Sequence, residues 1–173
     1  DSAVADDDDS AVADDDDATE PPPPAYASVD AAFFTITGGV ELGASAATLG
    51  DLDGDGLSEL VIGQPADPWE DEVPATGFGA VYLFLGSTLA TGGELTLDDA
   101  DAVIRGDSPG QAIGNNVGSA GDVDGNDVPD LLVSAGNTEN TFVFFDSLLV
   151  SGAELRGADA SANITGFVSE SAD

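Results

Sequence analysis

The chain has 173 residues, and its 35 acidic residues against 2 basic ones give a formal net charge of -33. A charge this negative argues against nucleic acids and anionic lipids as partners and favours cations. The sequence contains no cysteine, histidine or methionine, which excludes disulfides, soft-metal sites, thiol nucleophiles and histidine-dependent catalysis. The 22 glycines and 9 prolines predict short elements and many turns rather than long helices.

Residues 1–30 differ in composition from the rest of the chain. Residues 2–9 recur unchanged as residues 10–17, and four consecutive prolines follow at 21–24. Because such a segment has too little apolar surface to bury, we predict a disordered, Asp-rich and Pro-rich spacer. Its composition resembles the tethers of bacterial surface lipoproteins. The alternative is that its aspartate clusters bind calcium or dock on a neighbouring subunit.

A strand is predicted over residues 31–37, and a repeating order of strands begins after it. The first unit has predicted strands at 43–50, 60–63, 79–86 and 102–105. The second unit repeats that order with matching segments at 114–121, 131–133, 142–145 and 164–166. Four short strands per unit are typical of a propeller blade, which needs similar units beside it to cover its faces. We therefore divide the chain into units 31–106 and 107–173. No apolar run approaches the ~20 residues that a transmembrane helix needs.

An acidic loop separates the first two strands of each unit. Residues 51–59 read Asp-Leu-Asp-Gly-Asp-Gly-Leu-Ser-Glu, and 71 positions later residues 122–130 read Asp-Val-Asp-Gly-Asn-Asp-Val-Pro-Asp. Oxygen-bearing side chains at loop positions one, three, five and nine suit a hard cation, so we predict calcium loops. An acidic turn without metal is the alternative. An EF-hand is disfavoured because Ile62 and Val133 occupy the twelfth position, which an EF-hand fills with a carboxylate.

The residues around the first loop resemble a known family. Residues 50–65, followed by Gly-Ala-Val-Tyr-Leu-Phe at 79–84, resemble the FG-GAP repeat of integrin alpha-subunit propellers. The resemblance covers roughly residues 31–166. It implies an all-β fold of two four-stranded, propeller-like blades with calcium loops, located outside the cell or at its surface.

The resemblance also implies two sets of Ca²⁺ ligands. In the first loop they are the side chains of Asp51, Asp53, Asp55 and Glu59 and the carbonyl oxygen of Leu57. In the second they are the side chains of Asp122, Asp124, Asn126 and Asp130 and the carbonyl oxygen of Val128. The second loop departs from the pattern, because Asp127 replaces a glycine, Pro129 precedes the last ligand and Asn126 removes one charge. We expect weaker binding there.

Propellers of this family close with about seven blades, more than two units supply. The sequence holds the two units, a leading strand at 31–37 that we expect to be unpaired, and a stub at 167–173. Either further blades or copies of the chain must complete the fold, one chain's terminal strand finishing a neighbour's sheet. We favour self-assembly, because an isolated pair of blades would expose apolar strands such as residues 81–85.

Three functions are compatible with the sequence. The leading one is a non-enzymatic calcium-binding extracellular repeat protein with a structural or adhesive role. The second is a ligand-binding segment of a larger propeller that recognises protein or glycan through residues 64–76, which include Trp69. The third is an accessory repeat array of a secreted hydrolase.

Catalysis by this chain has little support. The clustered carboxylates stand where a metal needs them, and no base or thiol accompanies a serine. We expect Arg105 and Arg156 to pair with acids or carbonyl groups of the protein rather than with a substrate. Tyr82 falls in an apolar strand and is expected in the core.

Overall fold

The computed structural model describes residues 33–65, 77–136 and 140–166. The chain divides into two units, residues 1–32 and residues 33–173, and all of the described residues belong to the second. The spacer predicted over residues 1–30, the candidate recognition residue Trp69 and the stub at 167–173 lie outside the described residues.

Eleven strands lie in the described ranges, which confirms an all-β fold. They are β1 (Phe34–Thr37), β2 (Ser45–Gly50), β3 (Glu59–Gln64), β4 (Ala80–Phe84), β5 (Gly93–Thr96), β6 (Ala102–Arg105), β7 (Ile113–Gly121), β8 (Asp130–Ala135), β9 (Asn140–Phe144), β10 (Ala153–Arg156) and β11 (Ala162–Thr165). Helix is limited there to α1 (Gly86–Leu89) and 3-10 turns at Leu97–Asp99, Asp146–Leu148 and Gly157–Asp159. None of these helices is both long and apolar enough to cross a bilayer.

The strands form two principal sheets, one for each repeat. The first has the order β10-β6-β4-β3-β2 and the second the order β11-β9-β8-β7. Within each sheet the consecutive strands of one repeat pair in antiparallel fashion. The first two strands of each repeat, β2–β3 and β7–β8, are joined by the acidic loops, so both loops are fixed at strand ends.

The leading strand is not unpaired, contrary to the prediction. β1 runs parallel to β5, with Ile36 opposite Leu95. Each repeat contributes four strands to its antiparallel sheet, as predicted, and has one further strand outside that sheet, β5 or β10, which was not predicted. β10 leaves its own repeat and pairs in parallel with β6 of the preceding one, with Leu155 opposite Ile104. These two strands escaped prediction because each has four residues and a single large apolar one, Leu95 or Leu155, which gives no periodic signal.

Two apolar clusters hold the sheets. The larger lies between the repeats and combines Val61, Val81 and Leu83 of the first sheet with residues of the second such as Leu131 and Phe144. The smaller cluster covers the opposite face of the first sheet and contains Ile62, Tyr82 and Phe84, with Ile36 and Leu97 packed against it. All five residues of β4 are therefore buried, as its continuous apolar sequence predicts, and Tyr82 is confirmed as a core residue.

Candidate metal centre

Each acidic loop bends through left-handed backbone conformations at its fourth and sixth positions. In the first loop these are Gly54 (φ 81°) and Gly56 (φ 87°). In the second they are Gly125 (φ 85°) and Asp127 (φ 69°). Glycine adopts this conformation without strain, whereas an aspartate adopts it at a cost, so the second loop is the more strained of the two.

The side chain of Asp51 organises the first loop. Its Oδ1 accepts a hydrogen bond from the N–H of Gly54 (2.7 Å) and its Oδ2 one from the N–H of Gly56 (2.9 Å). Asp53 Oδ1 accepts from the N–H of Asp55 (3.1 Å), and Asp55 Oδ1 accepts from the N–H of Leu57 (2.7 Å). Each of these carboxylates thus turns the backbone around itself and is held at the inside of the loop.

Glu59 is the last residue of the first loop. It is the first residue of β3 and is fully buried, whereas the three aspartates of the loop are exposed. Its Oε2 accepts from the N–H of Leu52 (2.7 Å), but its Oε1 is buried without a hydrogen-bond partner. Burial raises the pKa of the Glu59 carboxyl above its ordinary value, although the N–H of Leu52 opposes that shift.

Four carboxylates converge in this loop. Asp51, Asp53, Asp55 and Glu59 each place an oxygen within 4.8 Å of the others. A buried acceptor without a partner costs about 1–3 kcal/mol, and a carboxylate costs more. A cation held between these oxygens fits the arrangement, because it would provide the missing partner of Glu59 Oε1 and neutralise the cluster.

The second loop repeats this network closely. Asp122 Oδ1 accepts from the N–H groups of Gly125 (2.6 Å) and Asn126 (2.9 Å), and its Oδ2 from that of Asp127 (2.9 Å). The N–H of Asp127, with smaller contributions from those of Gly125 and Asn126, lowers the pKa of Asp122 against the opposing effect of desolvation. Asn126 Oδ1 accepts from the N–H of Val128 (2.8 Å), as Asp55 does from Leu57.

Three carboxylates meet in the second loop. Asp122, Asp124 and Asp130 place oxygens within 4.8 Å of one another. Desolvation, followed by the negative charges of Asp130, Asp146 and Asp122, raises the pKa of Asp124. These carboxylates therefore repel one another.

The two loops differ at Asp146, a residue that the sequence reasoning missed. Asp130 is fully buried like Glu59, but both of its oxygens have partners: Oδ2 accepts from the N–H of Val123 (2.7 Å) and Oδ1 from that of Asp146 (3.1 Å). Asp146 Oδ1 in turn accepts from Asn126 Nδ2 (2.7 Å). Asp146 occupies the place of Gly86 in the first repeat, and the acid gained at that aligned position was the signal that could have found it.

The surroundings decide two of the other predictions. Strands flank both loops on both sides, which is incompatible with an EF-hand. Arg156 Nη1 donates to the carbonyl oxygen of Gly106 (3.5 Å), as expected, and the guanidinium of Arg105 lies 5.9 Å from the centroid of the Tyr82 ring. Both basic residues therefore contact the protein itself.

Comparison with known proteins agrees with this geometry. Residues 42–84, which include the first loop, match the family model described as FG-GAP repeat. The chain is 31% identical to integrin alpha-PS2 of Drosophila melanogaster over 103 residues, which is 59% of this chain and 7% of that protein. It is 34% identical to human integrin alpha-7 over 104 residues, 60% of this chain and 8% of that protein. The chain thus spans less than a tenth of either relative. The resemblance read from residues 50–84 is confirmed, because residues 42–84 match the FG-GAP repeat and the sequence is similar to integrin alpha subunits.

Proposed function

We propose that this chain is a non-enzymatic repeat protein whose two acidic loops each bind one Ca²⁺, and that its role outside the cell is structural or adhesive. The observation that carries the proposal is the buried, unpartnered Oε1 of Glu59 beside three further carboxylates. In the first loop the ligands are the side chains of Asp51, Asp53, Asp55 and Glu59, with the carbonyl oxygen of Leu57. In the second they are the side chains of Asp122, Asp124, Asn126 and Asp130, with the carbonyl oxygen of Val128.

Calcium suits these loops better than magnesium does. All of the proposed donors are oxygens, and carboxylates are mixed with a carbonyl group, which is the ligand set that Ca²⁺ accepts in flexible geometry. Mg²⁺ requires a small, nearly ideal octahedral shell and gives up its water reluctantly. Calcium would also reduce the repulsion within a chain whose formal charge is -33.

The proposed metal links the end of β2 to the start of β3. Asp51 directly follows β2, and Glu59 is the first residue of β3, so a cation bound to both fixes the turn that joins these strands. The backbone N–H groups of the loop already hold the carboxylates in place, and this preorganisation lowers the cost of binding. The clustered acids thus have a structural task, which supports a non-enzymatic role.

The second loop is proposed to bind calcium more weakly. Both oxygens of Asp130 already accept hydrogen bonds, and the amide of Asn126 is engaged by Val128 and Asp146. The left-handed Asp127 adds strain to the same loop. Filling the second site therefore gives no buried oxygen of Asp130 a partner that it lacks, whereas filling the first gives one to Glu59 Oε1.

An extracellular setting is supported by two arguments. The first is that the similarity is to integrin alpha subunits, and the second is that oxygen-rich calcium loops suit a calcium-rich setting. We retain residues 1–30 as a proposed spacer to the surface, 31–106 and 107–173 as the repeat units, and copies of the chain or further propeller blades as partners. A ligand-binding segment of a larger propeller is the second candidate, because the integrin-like match covers only 7–8% of those relatives.

Thermal unfolding with and without calcium tests the metal proposal. The chain should melt at a lower temperature in chelator, and the loss should be reversed by calcium but poorly by magnesium. Sodium chloride of matched ionic strength is the control, because screening alone also reduces repulsion. An unchanged melting temperature in chelator would contradict the proposal. For the second candidate, Trp69→Ala should abolish binding to immobilised protein or glycan without altering the calcium-dependent melting.

A further inference from the structure

We propose that Asp146 is a further calcium ligand, and that it supplies to the second loop the carboxylate that this loop lacks at its fifth position. The proposal rests on the calcium binding proposed above and adds to it a residue outside the loop, 16 positions beyond Asp130. The second site is then built from two segments of the chain, the acidic loop and the turn Asp146–Leu148 that follows β9.

The fifth position is where the two loops differ in charge. It is Asp55 in the first loop and Asn126 in the second, and in both the Oδ1 atom accepts a backbone N–H two residues further on, from Leu57 (2.7 Å) or Val128 (2.8 Å). The other terminal atom is therefore a carboxylate oxygen in Asp55 but the Nδ2 group in Asn126. An amide NH₂ group is a hydrogen-bond donor and cannot bind a cation. The second loop thus brings together three carboxylates where the first brings together four.

The carboxylate of Asp146 lies directly against this Nδ2 group. Its Oδ1 accepts a hydrogen bond from Asn126 Nδ2 (2.7 Å), and its backbone N–H donates to Oδ1 of Asp130 (3.1 Å), the last residue of the loop. Asp146 therefore contacts the fifth and the ninth positions of the second loop at once. A carboxylate has about four acceptor sites, so one hydrogen bond leaves its oxygens able to bind a cation as well.

The fold directs a side chain at this position toward the loop. Asp146 comes two residues after β9, as Gly86 comes two residues after β4. A Cβ built on Gly86 would collide with the Cβ of Leu57 and would lie 3.2 Å from the carbonyl oxygen of Ser58. The first repeat thus leaves no room for a side chain here, and its loop already has four carboxylates. The second repeat accommodates an aspartate, which is half-buried and reaches the loop.

The hydrogen bond alone does not explain an acid at this position. An asparagine could accept the same bond from Asn126 without a charge. Asp146 instead adds a negative charge beside Asp130 and the other carboxylates of the loop, which makes the metal-free loop less stable. With a divalent cation in the loop this effect changes sign, because each added carboxylate then strengthens binding. The charge of Asp146 therefore favours a loop that holds a cation.

Luminescence of bound Eu³⁺, an oxygen-seeking ion that can replace calcium, tests ligation directly. The difference between its decay lifetimes in light and heavy water gives the number of water molecules bound to the ion. The full chain carries Asp53→Asn and Glu59→Gln, which weaken the first site, and receives less Eu³⁺ than protein. Asp146→Asn in this background should let about one more water molecule bind the ion. Glu154→Gln is the matched control, because it removes an exposed acid of the same repeat outside the loops and should leave the count unchanged.

Calcium titration calorimetry in the same background measures the effect on affinity. Asp146→Asn should raise the dissociation constant of the second site roughly tenfold, and Glu154→Gln should change it little. The melting temperature of Asp146→Asn in chelator should not fall, because an asparagine can accept the bond from Asn126 and keeps the backbone N–H that Asp130 accepts. A lower affinity with an unchanged water count would overturn ligation and leave Asp146 as a positioning residue. Equal results for Asp146→Asn and Glu154→Gln would overturn any role of Asp146 in the site.

Failure of this proposal is distinguishable from failure of the calcium proposal. If calcium raises the melting temperature of the wild-type chain and Asp146→Asn behaves as Glu154→Gln does, only the role of Asp146 is rejected. If the wild-type chain melts at the same temperature in calcium and in chelator, the calcium sites and the role of Asp146 are both rejected.

Discussion

Replacing Glu59 with glutamine separates metal binding at this position from the support of the fold. Glu59 Oε2 accepts the N–H of Leu52, and the carbonyl oxygen of a glutamine side chain can accept it equally. Its Oε1 has no partner to lose. The metal-free variant should therefore unfold within about 1 kcal/mol of the wild type, because a buried neutral amide replaces a carboxylate whose burial already raises its pKa.

In calcium the same variant should lose most of the stabilisation from the first loop. At a calcium concentration of about 100 times the dissociation constant, one site contributes about 2.7 kcal/mol. A hundredfold loss of affinity reduces that contribution to about 0.4 kcal/mol. For a folded unit of this size the difference corresponds to roughly 6–12 °C in the midpoint of thermal unfolding.

Asp130→Asn is the matched variant in the second loop. Both oxygens of Asp130 accept backbone N–H groups, from Val123 and from Asp146, and an asparagine presents an N–H donor to one of them. The metal-free protein should lose about 1–3 kcal/mol in this variant. Circular dichroism melting of both variants, in chelator and in calcium, measures the contrast. The reasoning is refuted if Glu59→Gln destabilises the metal-free protein as much as Asp130→Asn, or keeps the full calcium-induced rise.

Three further changes test the loops, a turn and the packing of the repeats. Asn126→Asp should raise the calcium affinity of the second loop about tenfold by adding a charge. It should also lower the melting temperature of the metal-free protein, because the hydrogen bond that the wild-type Asn126 amide donates to Asp146 is lost. Titration calorimetry measures the affinity, and melting in chelator measures the loss of stability. Hydrogen bonds from the backbone N–H and the hydroxyl of Thr96 lower the pKa of Asp99. The stability that these bonds give the fold is therefore fully present above the ordinary pKa of an aspartate and is lost as the pH falls through the lowered value. Asp99→Asn should therefore melt below Asp98→Asn at pH 7, and the gap should close in acid. Gly63→Ala should destabilise by about 1–3 kcal/mol in urea unfolding, because a Cβ there would clash with the backbone of β7, whereas Gly118→Ala, with open space around it, should have little effect.

The positions of most strands could be predicted because apolar runs and glycines repeat in the same order in both halves of the chain. The continuous apolar sequence of β4 correctly indicated a strand that is buried on both faces. β5 and β10 escaped because each contains one large apolar residue, Leu95 or Leu155, among polar neighbours. Their partners are also distant in sequence, and hydrophobic periodicity contains no information about which distant edge a short strand will join.

The loops were predictable in their residues but not in their bonding. The spacing of the acids predicted that Asp51, Asp53, Asp55 and Glu59 lie close together, and they do. The two left-handed glycines of the loop allow the tight turn that brings these carboxylates together. It could not reveal that Glu59 keeps an unpartnered oxygen while its counterpart in the second loop does not. The partner of Asp130 Oδ1 is the backbone N–H of Asp146, and the pairing of β8 with β9 brings that distant residue to the second loop.

Charge connects the two loops with the proposed assembly. A Cβ built on Gly50, just before the first loop, would lie 3.3 Å from Pro129 in the second, so the two acidic loops are neighbours. A cation in one loop therefore lowers the repulsion that the other must overcome. Two copies of the chain approach against the net charge of both. Calcium bound at the loops would reduce that repulsion, so the proposed self-association should increase as the loops fill with calcium.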